Sequence, residues 1–323
     1  MIRLKLASIA LLIAAASVAQ AAEQNFPTKP IRLVVTSGAG SGVDFFARVI
    51  APALTELYKQ QVVVENRAGA GGLIGASTIA AATPDGYTIG IASTAHVVAP
   101  LLQLKPPYRP IEDFTPIALL TSIPAAVVAT GAIPVKSVQE LIALAKSKPG
   151  QLNFASLGDG TAAHLQAEVF NRAAGIKVVH VPFKSVGDAH AAILSGEVQY
   201  LTFLVPSAMP LIKSSKARAL AVTSKTRSVA LPDVPSIVEA GLPAAETEVL
   251  IGVVAPARVP RDIAARLHRD IATVLRKPET RERFASQGGT PTPDVTAEAY
   301  GAQLRNEYSS YRKLIAELGL KPQ

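Results

Sequence analysis

The sequence predicts an α/β protein of two lobes, each a mostly parallel sheet flanked by helices. Three observations predict it. Short β-branched runs alternate with small-residue loops and helical periodicity along the chain. About 300 residues remain after an N-terminal leader, more than one core usually serves. And one pattern, strand then glycine loop then helix, occurs twice: TSGAGSGVDFFARV begins at Thr36 and ASLGDGTAAHLQAEVF at Ala155.

The elements follow in order. IRLVV (31–35) is a strand, and a helix runs from about Val43 to Tyr58. QVVVEN (61–66) is the next strand, followed by RAGAGG and a helix through about Ala82. PDG (84–86) is a tight turn before the strand YTIGIAS (87–93). Two apolar runs, TPIALLTS and AAVVAT, are split by Pro124. SVQELIALAKSK (137–148) is a helix with Ser137 as N-cap and Glu140 at the capping-box position. The rhythm then restarts. QLNFASLGDGTAAHLQAEVFNRAAG (151–175) reads strand, glycine loop, helix, with Gly175 as C-cap. KVVHVPF, EVQYLTFLV, ARALAVTS and VLIGVVAP are further strands, VGDAHAAILSG is a helix, and the chain beyond Pro260 is mainly helical. On this reading lobe one comprises 23–123 with 226–323, and lobe two 124–225, with crossings near Ser122–Pro124 and Ser224–Lys225.

The N-terminus reads MIRLKLASIALLIAAASVAQAAEQ. Arg3 and Lys5, an apolar stretch from Leu6 to Val18 and the small-x-small step Ala19-Gln20-Ala21 make residues 1–21 a secretory signal peptide. No later stretch reaches the ~18 apolar residues of a spanning helix. The expected location is therefore periplasmic. The chain has no cysteine, which removes disulfides, thiolate chemistry and a lipidated cleavage site. It has no tryptophan and few aromatics, and its formal charge of +8 is dispersed. Nucleic acid is not an expected partner.

The paired glycine loops suggest a ligand site. In an open α/β sheet such loops lie at the carboxyl ends of strands, where ligands bind. A helix N-terminus there offers unpaired N–H groups and partial positive charge, suited to an anion. The first loop, Ser37, Gly38, Ala39, Gly40, Ser41 and Gly42, is expected to cradle one carboxylate of a ligand. Ser156, Gly158, Gly160 and Thr161, with Thr94 and His96, would close over the other end. His164 sits near a helix start and could approach the same cleft, while His180 reads as a structural residue within a strand. Asp44 and Asp188 lie near helix starts, where a capping role competes with ligand contact. Lys184, beside Phe183, is a candidate counter-charge that competes with simple solvation, and Phe203 is a candidate apolar wall.

Enzyme readings find less support. Gly38–Gly42 stops short of G-x-G-x-x-G because position 43 is valine, and GAGGLIG (69–75) also misses the spacing. No G-x-S-x-G elbow and no H-E-x-x-H occurs, so no metal site is expected. An exported Rossmann-like oxidoreductase using a nicotinamide cofactor is the alternative reading.

Eight stretches in order carry a resemblance: FPTKPIRLVV, VVVENRAGAGGLIGA, ATPDGYTIGIAST, SVQELIALAKSKPGQLNFAS, GDGTAAHL, VVHVPFK, ARALAVTSKTRSVALPDVPSIVEAGLP and APARVPRDIAARL. Together they resemble the substrate-binding proteins of tripartite tricarboxylate transporters, the Bug-type receptors. The resemblance implies a type II periplasmic binding protein with a Venus-flytrap cleft. It further implies no catalysis, no cofactor, and delivery of a small organic carboxylate to integral-membrane transporter subunits; a monomer is expected. The chain departs from the family pattern in places. Its first loop lacks the family's prolines and threonine, Phe183-Lys184-Ser185 stands where Tyr-Lys-Gly is common, and Phe203-Leu204-Val205 where Phe-Asp-Asn is common. The tryptophan common near Val249–Ile251 is missing. These changes predict a more apolar cleft and an aromatic or aliphatic carboxylate rather than an amino acid.

Overall fold

The computed structural model describes residues 26–158 and 161–322; the expected signal peptide lies outside them. The first half contains β1 (Ile31–Val35), α1 (Gly42–Tyr58), β2 (Val62–Asn66), α2 (Leu73–Ala80), β3 (Thr88–Ser93) and α3 (Ala95–Val98). A long strand β4 (Phe114–Thr130) then leads to α4 (Val138–Ser147), β5 (Asn153–Ser156), α5 (Ala162–Ala174), β6 (Val179–Pro182), α6 (Val186–Ser195), β7 (Tyr200–Leu204), α7 (Val205–Lys213) and β8 (Ala217–Val222). The chain returns through β9 (Glu248–Pro256), α8 (Arg261–Arg276), α9 (Pro278–Ala285), β10 (Thr290–Pro291) and α10 (Ala297–Glu317).

Side-chain caps start five of the helices, among them the predicted Ser137. The side chains of Ser41, Ser137, Thr161, Ser185 and Thr296 each accept a first-turn N–H. Glu140 reaches back to the Lys136 N–H at 2.6 Å, one residue before the cap itself. Gly175 ends α5 in the left-handed conformation, with φ 61°.

The strands run in the order β2-β1-β3-β9-β4-β7-β5-β6, with β10 and β8 also paired to β4. Pairing is parallel among β2, β1 and β3 and among β7, β5 and β6. It is antiparallel wherever β4 or β9 takes part. The expected parallel sheets thus occupy the two ends of a mixed sheet, and the returning strands fill its middle.

β4 joins the halves. The sequence suggests two runs split at Pro124, but the structure has one strand. Phe114–Pro124 pairs with β9, and Ala125–Thr130 pairs with β7 and β8. Proline brings no N–H to a ladder and is kept to irregular positions. Pro116 sits at a register shift against β9, and Pro124 sits where β4 changes partners. Two buried clusters, rich in residues such as Phe46, Ile123, Leu267 and Tyr300, serve the first half. Two others, with Phe154, Phe170, Tyr200 and Phe203, serve the second. Leu231, Ile237, Ala240 and Ala245 pack in the second pair of clusters, so this part of the segment expected in lobe one lies against lobe two.

Thr223 ties the crossings together. Its N–H donates to the Ala125 carbonyl at 2.8 Å, and its carbonyl accepts the Thr247 N–H at 2.9 Å. Its hydroxyl accepts the Ala125 N–H at 2.9 Å and donates to the Thr247 carbonyl at 2.6 Å. The residue is fully buried. Thr223→Val keeps the shape but leaves two buried groups unpaired, at about 1–3 kcal/mol each. A clear drop in Tm by calorimetry is expected; an unchanged Tm would show that the tie is dispensable.

Candidate functional site

Parallel pairing brings loops to common edges. β1 lies between β2 and β3, so the loops after these three strands share one edge of the first half. β5 lies between β7 and β6, and the loops after them share an edge of the second half. Ala162, the first residue of α5, and Leu204, the last of β7, pack against the first-half core, so the two edges face each other.

The first loop is held from beneath by Asp44. This carboxylate is almost fully buried and accepts from the Gly40 N–H at 2.8 Å, Arg48 Nε at 2.8 Å and Asn66 Nδ2 at 2.9 Å. Asn66 also donates to the Ser37 carbonyl at 3.1 Å. The Ser37 and Ser41 hydroxyls bond each other at 2.6 Å. Burial alone would raise the Asp44 pKa, but hydrogen bonds from Arg48, Gly40 and Asn66 outweigh it and hold the carboxyl below its usual range. The Gly40 N–H is therefore committed to Asp44, contrary to the expectation that it serves the ligand. Gly38, Ala39 and Gly40 are exposed, and a Cβ added at Gly38 or Gly40 would meet nothing within 4 Å. Gly40 has φ +79°, so a side chain there would be strained for backbone reasons alone.

The second loop is braced by Ser156. Its hydroxyl accepts the Gly158 N–H at 3.0 Å and lies 2.5 Å from His180 Nε2. The His180 ring stacks on His164 at 4.0 Å between centroids, and His164 lies 3.9 Å from Glu168. Burial raises the Glu168 pKa, against a lowering hydrogen bond from Asn171. Thr161 caps α5 and lines the site; Gly160 lies outside the described residues.

Several expected contacts prove to be structural. His96 is 3 % exposed, bonds the Pro110 carbonyl through Nε2 at 2.9 Å and packs between Tyr108 and Phe114. Burial pushes its pKa down to about 4, against the raising effect of Pro110, and keeps the ring neutral. Phe203 is buried in the second-half core because β7 turns it inward; Leu204, its neighbour, faces the other half. Asp188 is tied to the helix cap: its N–H donates to the Ser185 hydroxyl at 3.1 Å, and its carboxylate accepts from that hydroxyl at 2.8 Å. Phe183 is half-buried against the second-half core, and Lys184 is exposed.

A cavity of about 700 Å³ lies between the halves. The first half contributes Ala70, Gly71, Thr94, Leu102 and Gln103, and α5 contributes Thr161, Ala162 and Leu165. Tyr311 and Gly319–Pro322 complete the wall. Of the expected residues, Thr94 and Thr161 meet here, while Ser37–Gly42 lies alongside, on the loop between those carrying Gly71 and Thr94. The role of Ala70 and Gly71 was readable, since RAGAGG repeats the strand–glycine–helix pattern. It must turn tightly: Gly69, Gly71 and Gly72 all have positive φ, and a Cβ at Gly75 would lie 2.8 Å from Thr36 Cα. No sequence pattern marks the C-terminal wall. Among the described residues, no group of three His, Asp or Glu side chains could hold a metal ion.

Comparison with known proteins gives a consistent picture. The model of the family described as "Tripartite tricarboxylate transporter family receptor" matches residues 46–320. The protein BugT of Bordetella pertussis is 35% identical over 98% of this chain and 98% of its own. A solved structure of an R. palustris protein with adipate is 30% identical, with a TM-score of 0.80 over 92% of this chain and 100% of that one. MatC from Rhodopseudomonas palustris, solved with bound malate, is 30% identical, with a TM-score of 0.75 over 90% of this chain and 100% of its own.

The Asp44 hub makes a pH prediction. A carboxyl whose pKa is lowered by folding stabilises the fold above its unfolded pKa, and that stability is lost as pH falls through the folded value. Asp44→Ala should therefore lower urea stability by a constant amount from pH 5 to 8. The gap to the parent should close below about pH 4. A gap that persists unchanged at acid pH would mean that packing, not charge, carries the hub.

Proposed function

The chain belongs to the tripartite tricarboxylate transporter family of receptors, and from that premise we propose that it captures a small organic carboxylate between its lobes, in the periplasm, and delivers it unchanged to integral-membrane transporter subunits. The leader MIRLKLASIALLIAAASVAQA supports export, and no described helix is long and apolar enough to cross a membrane. We take the lobes to meet at Pro124 and near Thr247, with Thr223 between them.

The observation that carries the reading is the lining of the inter-lobe cavity. Its described residues include no Asp or Glu and one lysine, Lys321. The N-terminus of α5 opens onto it at Thr161, where the partial positive charge of the helix end favours an anion. An ammonium group would find no counter-charge on those walls. Ala70, Val98, Ala99, Leu102 and Leu165 suit an apolar body. The preferred ligand is thus an aliphatic or aromatic carboxylate rather than an amino acid. The similar structures with adipate and malate support a carboxylate, and adipate has such a methylene body.

The test is a thermal-shift screen of the purified protein against organic acids. A ligand at 100 times its Kd adds about 2.7 kcal/mol of stability. A mono- or dicarboxylate should raise Tm clearly and be recovered chemically intact, and NAD should not raise it. Gly38→Val adds bulk to open space without a positive-φ penalty. It should weaken the cognate acid at least about tenfold, a loss of ~1.4 kcal/mol, while leaving the unliganded Tm in place. Turnover of the acid or an NAD-dependent shift would overturn the receptor reading; undiminished affinity in Gly38→Val would remove the first loop from the site.

A further inference from the structure

The second loop rests on a hydroxyl with one hydrogen and two acceptors within reach. Ser156, the last residue of β5, is fully buried. Its Oγ lies 2.5 Å from His180 Nε2 and 3.2 Å from the Gly158 carbonyl, and it accepts the Gly158 N–H at 3.0 Å. The same carbonyl accepts the Thr161 hydroxyl at 2.8 Å, and Thr161 caps α5 at the inter-lobe cavity. Serine has a single donor hydrogen, so it serves one of the two acceptors at a time.

The state of the His180 ring decides which. An Nε2 without a proton accepts, and the serine hydrogen goes to it. A charged ring donates from both nitrogens. Its Nε2–H then points at Ser156 Oγ, and the serine hydrogen turns to the Gly158 carbonyl. In that state Ser156 holds Gly158 by its N–H and its carbonyl together.

His180 is placed for this role. It is half-buried on β6, a strand at the end of the sheet. Its ring lies parallel to that of buried His164, with 4.0 Å between centroids and 4° between planes, and also stacks on Phe154 at 5.0 Å. Two charged rings at that spacing repel, so the pair takes one proton before the other, and the half-buried ring is its better solvated seat. α5 also brings Glu168, 3.9 Å from His164, whose pKa burial raises against a hydrogen bond from Asn171. β7 brings Tyr200, which donates to Asn171 and is kept protonated by burial. α6, packed on β5, brings Asp188, bound to Ser185, and His190, whose pKa burial lowers against a hydrogen bond with the Ser207 backbone. Lys177 and Lys184 flank β6 and are exposed, and Asp159 follows Gly158 outside the described residues.

We propose that His180 is a positioning residue for carboxylate capture: its proton turns the Ser156 hydroxyl from the ring to the Gly158 carbonyl and so fixes the second loop against the ligand. The consequence for binding rests on the carboxylate reading above; the effect on the loop does not. The proton also adds positive charge beside an anion site. Affinity for a carboxylate therefore rises as pH falls through the range in which histidine takes up its proton.

The test is an NMR titration of the purified protein from about pH 5 to 8. Leucine precedes glycine at 157–158 and 318–319 alone, so carbonyl-labelled leucine with nitrogen-labelled glycine reduces the spectrum to two amides. The Gly158 amide should move with the same midpoint as the His180 ring. In Ser156→Ala the ring should still titrate and the amide should not follow it. In His180→Gln, whose side-chain amide donates at the Nε2 position at every pH, the Gly158 amide should stay at its acid-form position. Adipate, ionised from about pH 6 to 8, should bind the parent at least about threefold more tightly at the lower pH, within the tenfold per pH unit that one proton allows. His180→Gln should flatten that dependence. A Gly158 amide that ignores the His180 titration, or that follows it equally in Ser156→Ala, would overturn the proposal. So would the same pH dependence of adipate affinity in the parent and in His180→Gln. If neither adipate nor any other carboxylate binds at any pH, the carboxylate reading fails, and the amide titration alone decides the role of His180.

Discussion

The two rims of this molecule are positioned by a single continuous strand and the residue that clamps its change of partners. β4 serves the first half of the sheet up to Pro124 and the second half from Ala125. Thr223 joins Ala125 to Thr247 by four hydrogen bonds in a fully buried setting. Paired groups shielded from water hold their geometry, because any departure exposes an unsatisfied donor or acceptor. The clamp therefore constrains how the parallel strands of the two halves approach, and with them the loops at their carboxyl ends. Ala162 and Leu204 reach the first-half core because of that arrangement.

Two cavities lie along the lobe interface, and their chemistry differs. The one near Thr161 has no described acid in its lining, while the one near Glu307 has several. Their separation is thin. Thr94 lines the first and donates its hydroxyl to Glu307 of the second, and Tyr311 lines both. Thr94 is also fixed to β9, since its hydroxyl accepts the Leu250 N–H at 3.1 Å and its own N–H donates to the Leu250 carbonyl at 3.1 Å.

Much of the fold was legible because local rules and tertiary structure agree. The β-branched runs became strands, Ser137 became an N-cap and Gly175 a C-cap. Pro124 misled, because a proline that ends a ladder on one side can stand where a strand changes partners. The site was legible as loops and less so as side chains. Histidine at 96 is compatible with a cleft or a core, and only the packing of Tyr108 and Phe114 around it decides. The alternation of β7 turns Phe203 inward and leaves Leu204 at the interface, a choice that one residue of register reverses. The Asp44 hub depends on Asn66, 22 residues away, and the C-terminal wall on residues nearly 250 positions from Gly71. No local pattern announces such contacts.

The central claim is that a carboxylate is held by both lobes at once. The absence of cysteine permits a direct measurement, since introduced thiols are then the only ones to label. Spin labels at Leu57→Cys on α1 and Leu194→Cys on α6, both exposed and outside the loops assigned to the site, report the relative placement of the lobes by pulsed electron double resonance. With a carboxylate that raises Tm, the account predicts a shifted and narrower distance distribution than in its absence. A distribution unchanged by saturating ligand would contradict it.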